Sequence, residues 1–169
     1  MSLPIEDLKA LANSYNFYAS FFREKPSQDW FKSDIEFIQT WRSETEEDPG
    51  ALSDVDEAFD LLVDKVKQVG LETYSAFLQQ EYERLFFAPG RVLVNLYESV
   101  YRGSGLLMQD ITVAVRQHYL RAGLVVKTLY TIPDDHLATE LEFMEFLTKQ
   151  QLEKFESGGF TEEIKKFES

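Results

Sequence analysis

The chain has 169 residues, and its 30 acidic and 17 basic side chains give a formal net charge of −13 at pH 7. This charge disfavours binding to nucleic acid and to anionic lipid, and it favours cationic partners. The chain contains no cysteine, which excludes disulfides, thiolate metal sites and cysteine nucleophiles, and no stretch reaches the ~20 apolar residues of a membrane-spanning helix.

Apolar residues recur at steps of three and four positions along the N-terminal half, which is the spacing of amphipathic helices. Ser2 is predicted to cap a first helix, and a second helix is predicted after Pro26. The acidic stretch RSETEEDPGALSD at 42–54 is predicted to be a solvated loop. A third helix begins at Ser53 and Asp54 and is predicted to end at Gly70, because glycine readily adopts the backbone conformation that stops a helix.

The second half of the chain continues this pattern with one interruption. A fourth helix is predicted from Leu71, and the stretch 87–105 breaks the periodicity, so it is predicted to be a long irregular connection. Asp110 is predicted to cap a fifth helix that stops at Gly123. This fifth helix is predicted to run through Val113, Ala114, Gln117 and Leu120.

A sixth helix is predicted after Pro133, with Gly158 and Gly159 as its stop, and Thr161 is predicted to cap a short seventh helix. No alternating β-pattern and no internal repeat is present. We therefore predict an all-α fold, a single-domain bundle of about six to seven helices over residues 1–169.

The sequence PDDH at 133–136 places two aspartates and one of the two histidines at the start of the sixth helix. One interpretation is purely structural: acidic residues in a first turn complement the helix dipole, and Asp134 is expected to cap exposed amides. A second interpretation notes that His136, Glu140 and Phe143 follow one another on a single stripe of the helix. That stripe presents an imidazole, a carboxylate and an aromatic ring together, as a binding site would.

Two further functions remain open from the residues alone. The first is a metal-dependent helical hydrolase using His118, His136 and the neighbouring aspartates, although three consecutive helical side chains point about 100° apart and no His-Glu-x-x-His spacing is present. The second is an acidic adaptor that binds a folded basic partner through its surface. No nucleophile elbow and no phosphate-binding glycine loop occurs in the sequence.

The segment EYERLFFAPGRVLVNLYESVYRGSGLLMQDITVAVRQHYLRAGL, followed by IPDDHLATELEFMEFL, resembles the TorD-like family of redox-enzyme maturation chaperones, which includes the TorD, DmsD and NarJ groups. The resemblance covers about residues 80–147. It implies an all-helical cytoplasmic protein that binds the twin-arginine signal peptide or the apo form of a molybdenum-containing oxidoreductase, and holds it until the cofactor is inserted. It also implies that the protein is not an enzyme and needs no catalytic residue, metal or cofactor of its own.

The resemblance, together with the chemistry of a basic and apolar peptide, gives a set of expected binding residues. These are Phe86, Tyr97, Glu98, Ser99, Tyr101, Asp134, Asp135, His136, Glu140 and Phe143. The acids are expected to meet the cationic part of the peptide and the aromatic rings its apolar part, with His136 shaping the join. Tyr97 stands where relatives often carry tryptophan, and Ile132 stands where many carry glutamate.

Relatives in this family usually continue for some tens of residues beyond the position of Ser169. The resemblance therefore implies a shortened chain, a divergent member of the family, or a missing helix that a second copy supplies, so that the protein is a monomer or a domain-swapped homodimer.

Overall fold

The computed structural model of the chain describes residues 5–44, 53–90, 92–102, 107–127 and 132–157. Within these ranges the protein is helical and has no β-strand, which confirms the all-α prediction. The helices are α1 (Ile5–Arg23), α2 (Gln28–Glu44), α3 (Ser53–Val69), α4 (Leu71–Phe86), α5 (Glu98–Arg102), α6 (Asp110–Arg121) and α7 (Leu137–Glu156). None of these helices is both long enough and apolar enough to cross a membrane.

The chain forms two compact units. One contains Met1–Glu24 and Asn95–Ser169, and the other contains Lys25–Val94. We call them the first and the second unit. The single-domain assignment over 1–169 stays a prediction.

The first unit is built on the packing of α1 along α7. Small buried residues lie on both helices, with Ala12 and Ala19 on α1 and Ala138 on α7, so the two backbones can approach closely. Leu8 is the largest apolar side chain on the buried face of α1, with 2% of its surface exposed. Burial of such a side chain contributes about 1.5–3 kcal/mol, and this packing fixes the position of α7.

The end of α6 follows the predicted pattern. Gly123 has a φ of 76°, its amide donates to the Leu120 carbonyl at 3.0 Å, and the Leu124 amide donates to the Tyr119 carbonyl at 2.9 Å. These two bonds form a Schellman motif, in which a left-handed residue satisfies the last carbonyls of a helix. The prediction that Gly123 stops this helix is confirmed.

The start of α6 differs from the prediction. The N-cap position holds Gln109, and Asp110 is the first helical residue, so the predicted cap at Asp110 is wrong. The helix runs through Val113 and Leu120 as predicted, but these two residues are 51% and 54% exposed, whereas Thr112 and Tyr119 are buried. The buried face of this helix is polar and aromatic, which an apolar-periodicity rule cannot detect.

The second unit contains α2, α3 and α4. Phe31 of α2 stacks on Tyr74 of α4 with ring centroids 5.6 Å apart, and the Gln79 side chain donates to the Pro26 carbonyl at 2.8 Å. Gly70, with a φ of 85°, separates α3 from α4 as predicted. These contacts hold α4 against the entry of α2.

Several predicted boundaries need correction or lie outside the described residues. The predicted loop at 42–54 is shorter at both ends, because α2 continues to Glu44 and α3 begins at Ser53. The predicted irregular stretch 87–105 contains the one-turn helix α5. The predictions at 1–4 and 158–169 fall outside the described residues: the Ser2 cap, the stop at Gly158 and Gly159, and the helix from Thr161.

Candidate functional site

Two main-chain hydrogen bonds join the start of α5 to the start of α7. The Leu137 amide donates to the Leu96 carbonyl at 2.7 Å, and the Glu98 amide donates to the Asp135 carbonyl at 3.0 Å. The pairing is that of two short antiparallel segments. It brings the ESVY and PDDH sequences, which lie far apart along the chain, into direct contact.

Asp135 is the buried centre of this junction, and none of its surface is exposed. One of its carboxylate oxygens accepts from the Ser99 amide at 2.8 Å, and the other accepts from the Thr112 hydroxyl at 2.8 Å. A buried carboxylate is tolerated when such donors satisfy it. A single side chain therefore ties α5 and α6 to the loop that precedes α7, and it satisfies an amide in the first turn of α5.

Asp134 points into the first unit as well, with 1% of its surface exposed. Its carboxylate forms an ion pair with the Arg116 guanidinium of α6, and its main-chain carbonyl accepts from the Tyr119 hydroxyl at 3.0 Å. Burial, with nearby carboxylates adding to it, raises the pKa of the Tyr119 phenol above its usual range. The expectation that Asp134 caps α7 is wrong, because its carboxylate is occupied by the neighbouring helix.

His136 holds the N-cap position of α7 instead. Its Nδ1 accepts from the Ala138 amide at 3.2 Å, which requires an unprotonated nitrogen. Burial lowers the pKa of this imidazole to about 4; the Arg23 charge adds to that effect and Asp135 opposes it. The imidazole is therefore neutral near pH 7, and its ring meets the Tyr97 ring edge to face with centroids 5.0 Å apart.

Glu98 and Glu140 supply the carboxyl groups beside this ring pair. Burial, followed by the charge and hydrogen bond of Glu98, raises the pKa of Glu140 to about 7, while the Arg102 charge opposes the shift. Glu98 forms an ion pair with Arg102 one turn along α5. One oxygen of Glu140 is buried and has no hydrogen-bond partner among the described residues.

Tyr101 presents an exposed ring at the other side of α5. The ring is 66% exposed, yet its hydroxyl group donates to the Asn95 carbonyl and accepts from the Asn95 amide, both at 2.9 Å. A two-point clamp of this kind holds both the loop and the ring in place. The tyrosine is therefore an ordered apolar surface at the edge of the junction.

A cavity of about 440 Å³ opens beside the junction in the first unit. Its lining residues are Arg23, Tyr119, Leu124, Val125, Val126, Lys127, Thr139, Glu142 and Phe143. The Tyr119 and Phe143 rings pack edge to face in its wall, with centroids 4.8 Å apart. The junction thus has polar groups along α5 and an open, largely apolar hollow along α7.

A comparison with protein families gives one match. Residues 48–168 match the family described as nitrate reductase delta subunit. The chain belongs to this family. Its members are TorD- and NarJ-like chaperones of redox-enzyme maturation, as the resemblance of the ESVY and PDDH segments implied. The comparisons with curated proteins and with solved structures give no match.

The ten expected binding residues are divided between the two units. The first unit holds nine of them, namely Tyr97, Glu98, Ser99, Tyr101, Asp134, Asp135, His136, Glu140 and Phe143. Phe86 belongs to the second unit, where its ring lies 4.9 Å from that of Tyr82. Peptide binding by this set stays a prediction, but the burial of Ser99, Asp134 and Asp135 gives these three a supporting position.

Sequence reasoning missed the residues of α6 that support the chaperone's junction. Thr112, Arg116 and Tyr119 contact the two aspartates, and their spacing of four and three positions places them on one face of the helix. Because two of these side chains are polar, a search for apolar periodicity does not find them. Arg23 was also missed: it donates to the Thr139 hydroxyl at 3.2 Å and pairs with Glu142 at 2.6 Å.

The hydrolase alternative has no support in the described part of the chain. No group of three or more histidine, aspartate or glutamate side chains there is arranged to hold a metal ion. His118 is exposed on α6, and Nδ1 of His136 accepts the capping amide.

Proposed function

We propose that this protein binds the twin-arginine signal peptide, or the apo form, of a molybdenum-containing oxidoreductase in the cytoplasm, and holds it for cofactor insertion before export or assembly. The match of residues 48–168 to a family of molybdoenzyme maturation chaperones carries this proposal. A chaperone acts by binding alone, so the proposal requires no catalytic residue and no cofactor.

The geometry of the junction supports a division of labour among the expected residues. Asp134 and Asp135 are buried, Asp135 accepts hydrogen bonds at both carboxylate oxygens, and Asp134 pairs with Arg116 through one oxygen, so we assign them the task of holding α5 and α6 against α7. We assign the contact with a cationic peptide to Glu98 and Glu140, because both residues are partly exposed and Glu140 lies beside Glu98 at the junction. A carboxylate that accepts from a guanidinium forms a strong, directional bond.

Aromatic rings beside these acids supply the apolar part of the proposed site. Tyr97 is half-buried against His136, and Tyr101 is exposed and clamped at its hydroxyl. Held rings bind apolar side chains with little loss of conformational entropy on binding. The net charge of −13 favours encounter with a basic segment, and this attraction weakens with salt.

The test is titration of the purified chain with synthetic twin-arginine signal peptides of molybdoenzymes, at low and at moderate salt. We expect saturable binding to one peptide at micromolar concentration or tighter, weaker binding when both arginines are replaced by glutamine, and weaker binding at higher salt. A folded chain that binds neither any such peptide nor the corresponding apoenzyme contradicts the proposal.

A charge-neutral variant locates the ionic contact. Glu98→Gln is expected to weaken binding of the twin-arginine peptide and to leave binding of the glutamine-substituted peptide unchanged. Glu81→Gln is the matched control, since Glu81 also forms an ion pair with an arginine, Arg84, in the next turn of its own helix but lies in the second unit. Equal effects of the two variants contradict the assignment of Glu98.

A further inference from the structure

The cavity along α7 is lined largely by apolar side chains. The proposed ionic contact of Glu98 and Glu140 with a basic peptide does not explain this lining. Leu124, Val125 and Val126 form one wall, and the Tyr119 and Phe143 rings form another. Its volume of about 440 Å³ falls within the range of clefts that bind small organic groups. Val125 is 68% exposed, so the hollow is open to solvent at this wall.

Local structure positions both walls. The Schellman motif at Gly123 ends α6 and turns the chain, so that residues 124–127 run beside α7. On α7, Thr139, Glu142 and Phe143 are three and one positions apart, which places them on one face of the helix. Because α7 is held by α1 and by the α5 junction, this face is preformed.

The charges around the cavity select against a basic occupant. Its one acid, Glu142, is paired with Arg23 at 2.6 Å. Lys127 has no ion-pair partner among the described residues and adds a second positive charge to the lining. In a chain of net charge −13, the cavity is therefore a local region without a free carboxylate. A lysine or arginine side chain is repelled from it, and an uncharged apolar side chain is not.

The carboxyl groups of the proposed ionic contact lie close to this cavity. Glu140 and Phe143 are three positions apart on α7, so their Cβ atoms are neighbours at about 5–6 Å. Glu98 interacts with Glu140 across the junction. A peptide with basic residues followed by apolar ones can therefore meet both regions within about one turn of α7.

We propose that this cavity receives the apolar side chains that follow the basic residues of the bound signal peptide, with those basic residues at Glu98 and Glu140. The inference rests on the proposed function and adds the direction in which the peptide lies. Charge complementarity sets this direction, since the basic part is attracted to the carboxyl groups and repelled by Arg23 and Lys127.

The first arm of the test compares two exposed valines of the full chain. Val125→Asp places a carboxylate at the cavity wall, and Val113→Asp makes the same change on α6 at a residue outside the lining, where the side chain is 51% exposed. Both are expected to fold. Val125→Asp is expected to weaken binding of the signal peptide at least about tenfold, the scale of losing one buried apolar side chain, and Val113→Asp to leave it unchanged.

The second arm uses the peptide itself. Replacing the apolar residues of the peptide by serine is expected to weaken its binding to the wild-type chain. The same replacement is expected to cause little further loss of affinity for the Val125→Asp variant. A photoreactive phenylalanine analogue in the apolar part is expected to cross-link to 124–127 or to Phe143. The same analogue beside the arginines is expected to cross-link to α5.

The results distinguish a failure of this inference from a failure of the proposed function. Saturable peptide binding with equal affinities for the two aspartate variants, or with cross-links of the apolar part outside the cavity, overturns the inference and leaves the proposed function standing. If the folded wild-type chain binds no signal peptide, the inference is overturned, and if it does not bind the corresponding apoenzyme either, the proposed function is overturned as well. A dimer that Val125→Asp dissociates, with peptide affinity unchanged, shows that a second copy occupies the cavity and also overturns the inference.

Discussion

Substitution of Asp135 probes whether one buried carboxylate holds the α5 junction together. Asp135→Ala removes the acceptor of both the Ser99 amide and the Thr112 hydroxyl, at bonds of 2.8 Å each. Hydrogen bonds to a charged group contribute about 1.5–3 kcal/mol each, and the buried amide is left unpaired. The two losses together predict a free energy of unfolding lower by about 3–5 kcal/mol.

Asp135→Asn separates the shape of the side chain from its charge. The Ser99 amide can only donate, so the Asn oxygen must face it, which turns the Asn amino group toward Thr112. The threonine hydroxyl can accept as well as donate, so this arrangement keeps both contacts as neutral hydrogen bonds. We therefore expect a smaller loss, about 1–2 kcal/mol, because neutral bonds are weaker than charge-assisted ones.

Urea unfolding at pH 7, followed by far-ultraviolet circular dichroism, measures both variants. Thr112→Val completes the test. It should lower the free energy of unfolding of the wild-type chain, and it should lower that of Asp135→Ala much less, because the hydrogen-bond partner of Thr112 is already absent there. Equal losses for Ala and Asn, or full additivity with Thr112→Val, refute the reasoning.

Three further predictions concern helix ends and protonation. Gly123→Ala is expected to lower the free energy of unfolding by about 1 kcal/mol in urea titration, because φ is 76° there while no atom lies within 4 Å of an added Cβ; a neutral result contradicts a strained conformation. Glu140 has a pKa of about 7 in the folded chain against an ordinary 4.5, so the folded state binds more protons between these values and stability falls as pH rises through them. Glu140→Gln should therefore be more stable than wild type at pH 8 and closer to it at pH 5, and the same difference at both pH values rejects this linkage. The pKa of His136 is lowered from 6.5 to about 4, so its contribution to stability is present above pH 6.5 and is lost as the pH falls toward 4. His136→Asn keeps a capping oxygen but does not titrate in this range. In this variant, the urea midpoints measured between pH 4 and 7 should therefore fall less steeply toward acid pH than in the wild type. The two slopes oppose each other, so each variant is compared with wild type separately.

The helices that are indicated by their own residues and end signals were predictable from the sequence. Six of the seven described helices were predicted from the sequence, and Gly70 and Gly123 end helices where the pattern places them. The exception is α5, a single turn whose amides at Glu98 and Ser99 are satisfied by Asp135, 36 positions beyond Ser99. No local pattern reports a partner at that distance.

The sequence was sufficient to identify the segments that form the candidate site, but not to assign which of their residues support the site and which face a ligand. The ESVY and PDDH segments were identified, and the structure brings them together. Asp134 and Asp135, however, were expected to face the peptide, and their burial could not be read from the sequence because acidic residues in a first turn are usually exposed. The residue types that reveal the burial, Thr112 and Arg116, lie on another helix and resemble ordinary surface positions.

The main-chain pairing between α5 and α7 also has a consequence for the order of synthesis. Closing a loop of this length carries an entropic cost that the local turn of α5 cannot offset alone, so the turn requires the segment 135–137 to be present. While only the residues before α7 have left the ribosome, the junction in the nascent chain therefore cannot assemble. Under the proposed function, a nascent chaperone cannot capture a client at the junction until residues 135–137 have been synthesised, which protects the client from being held by a chain without an assembled site.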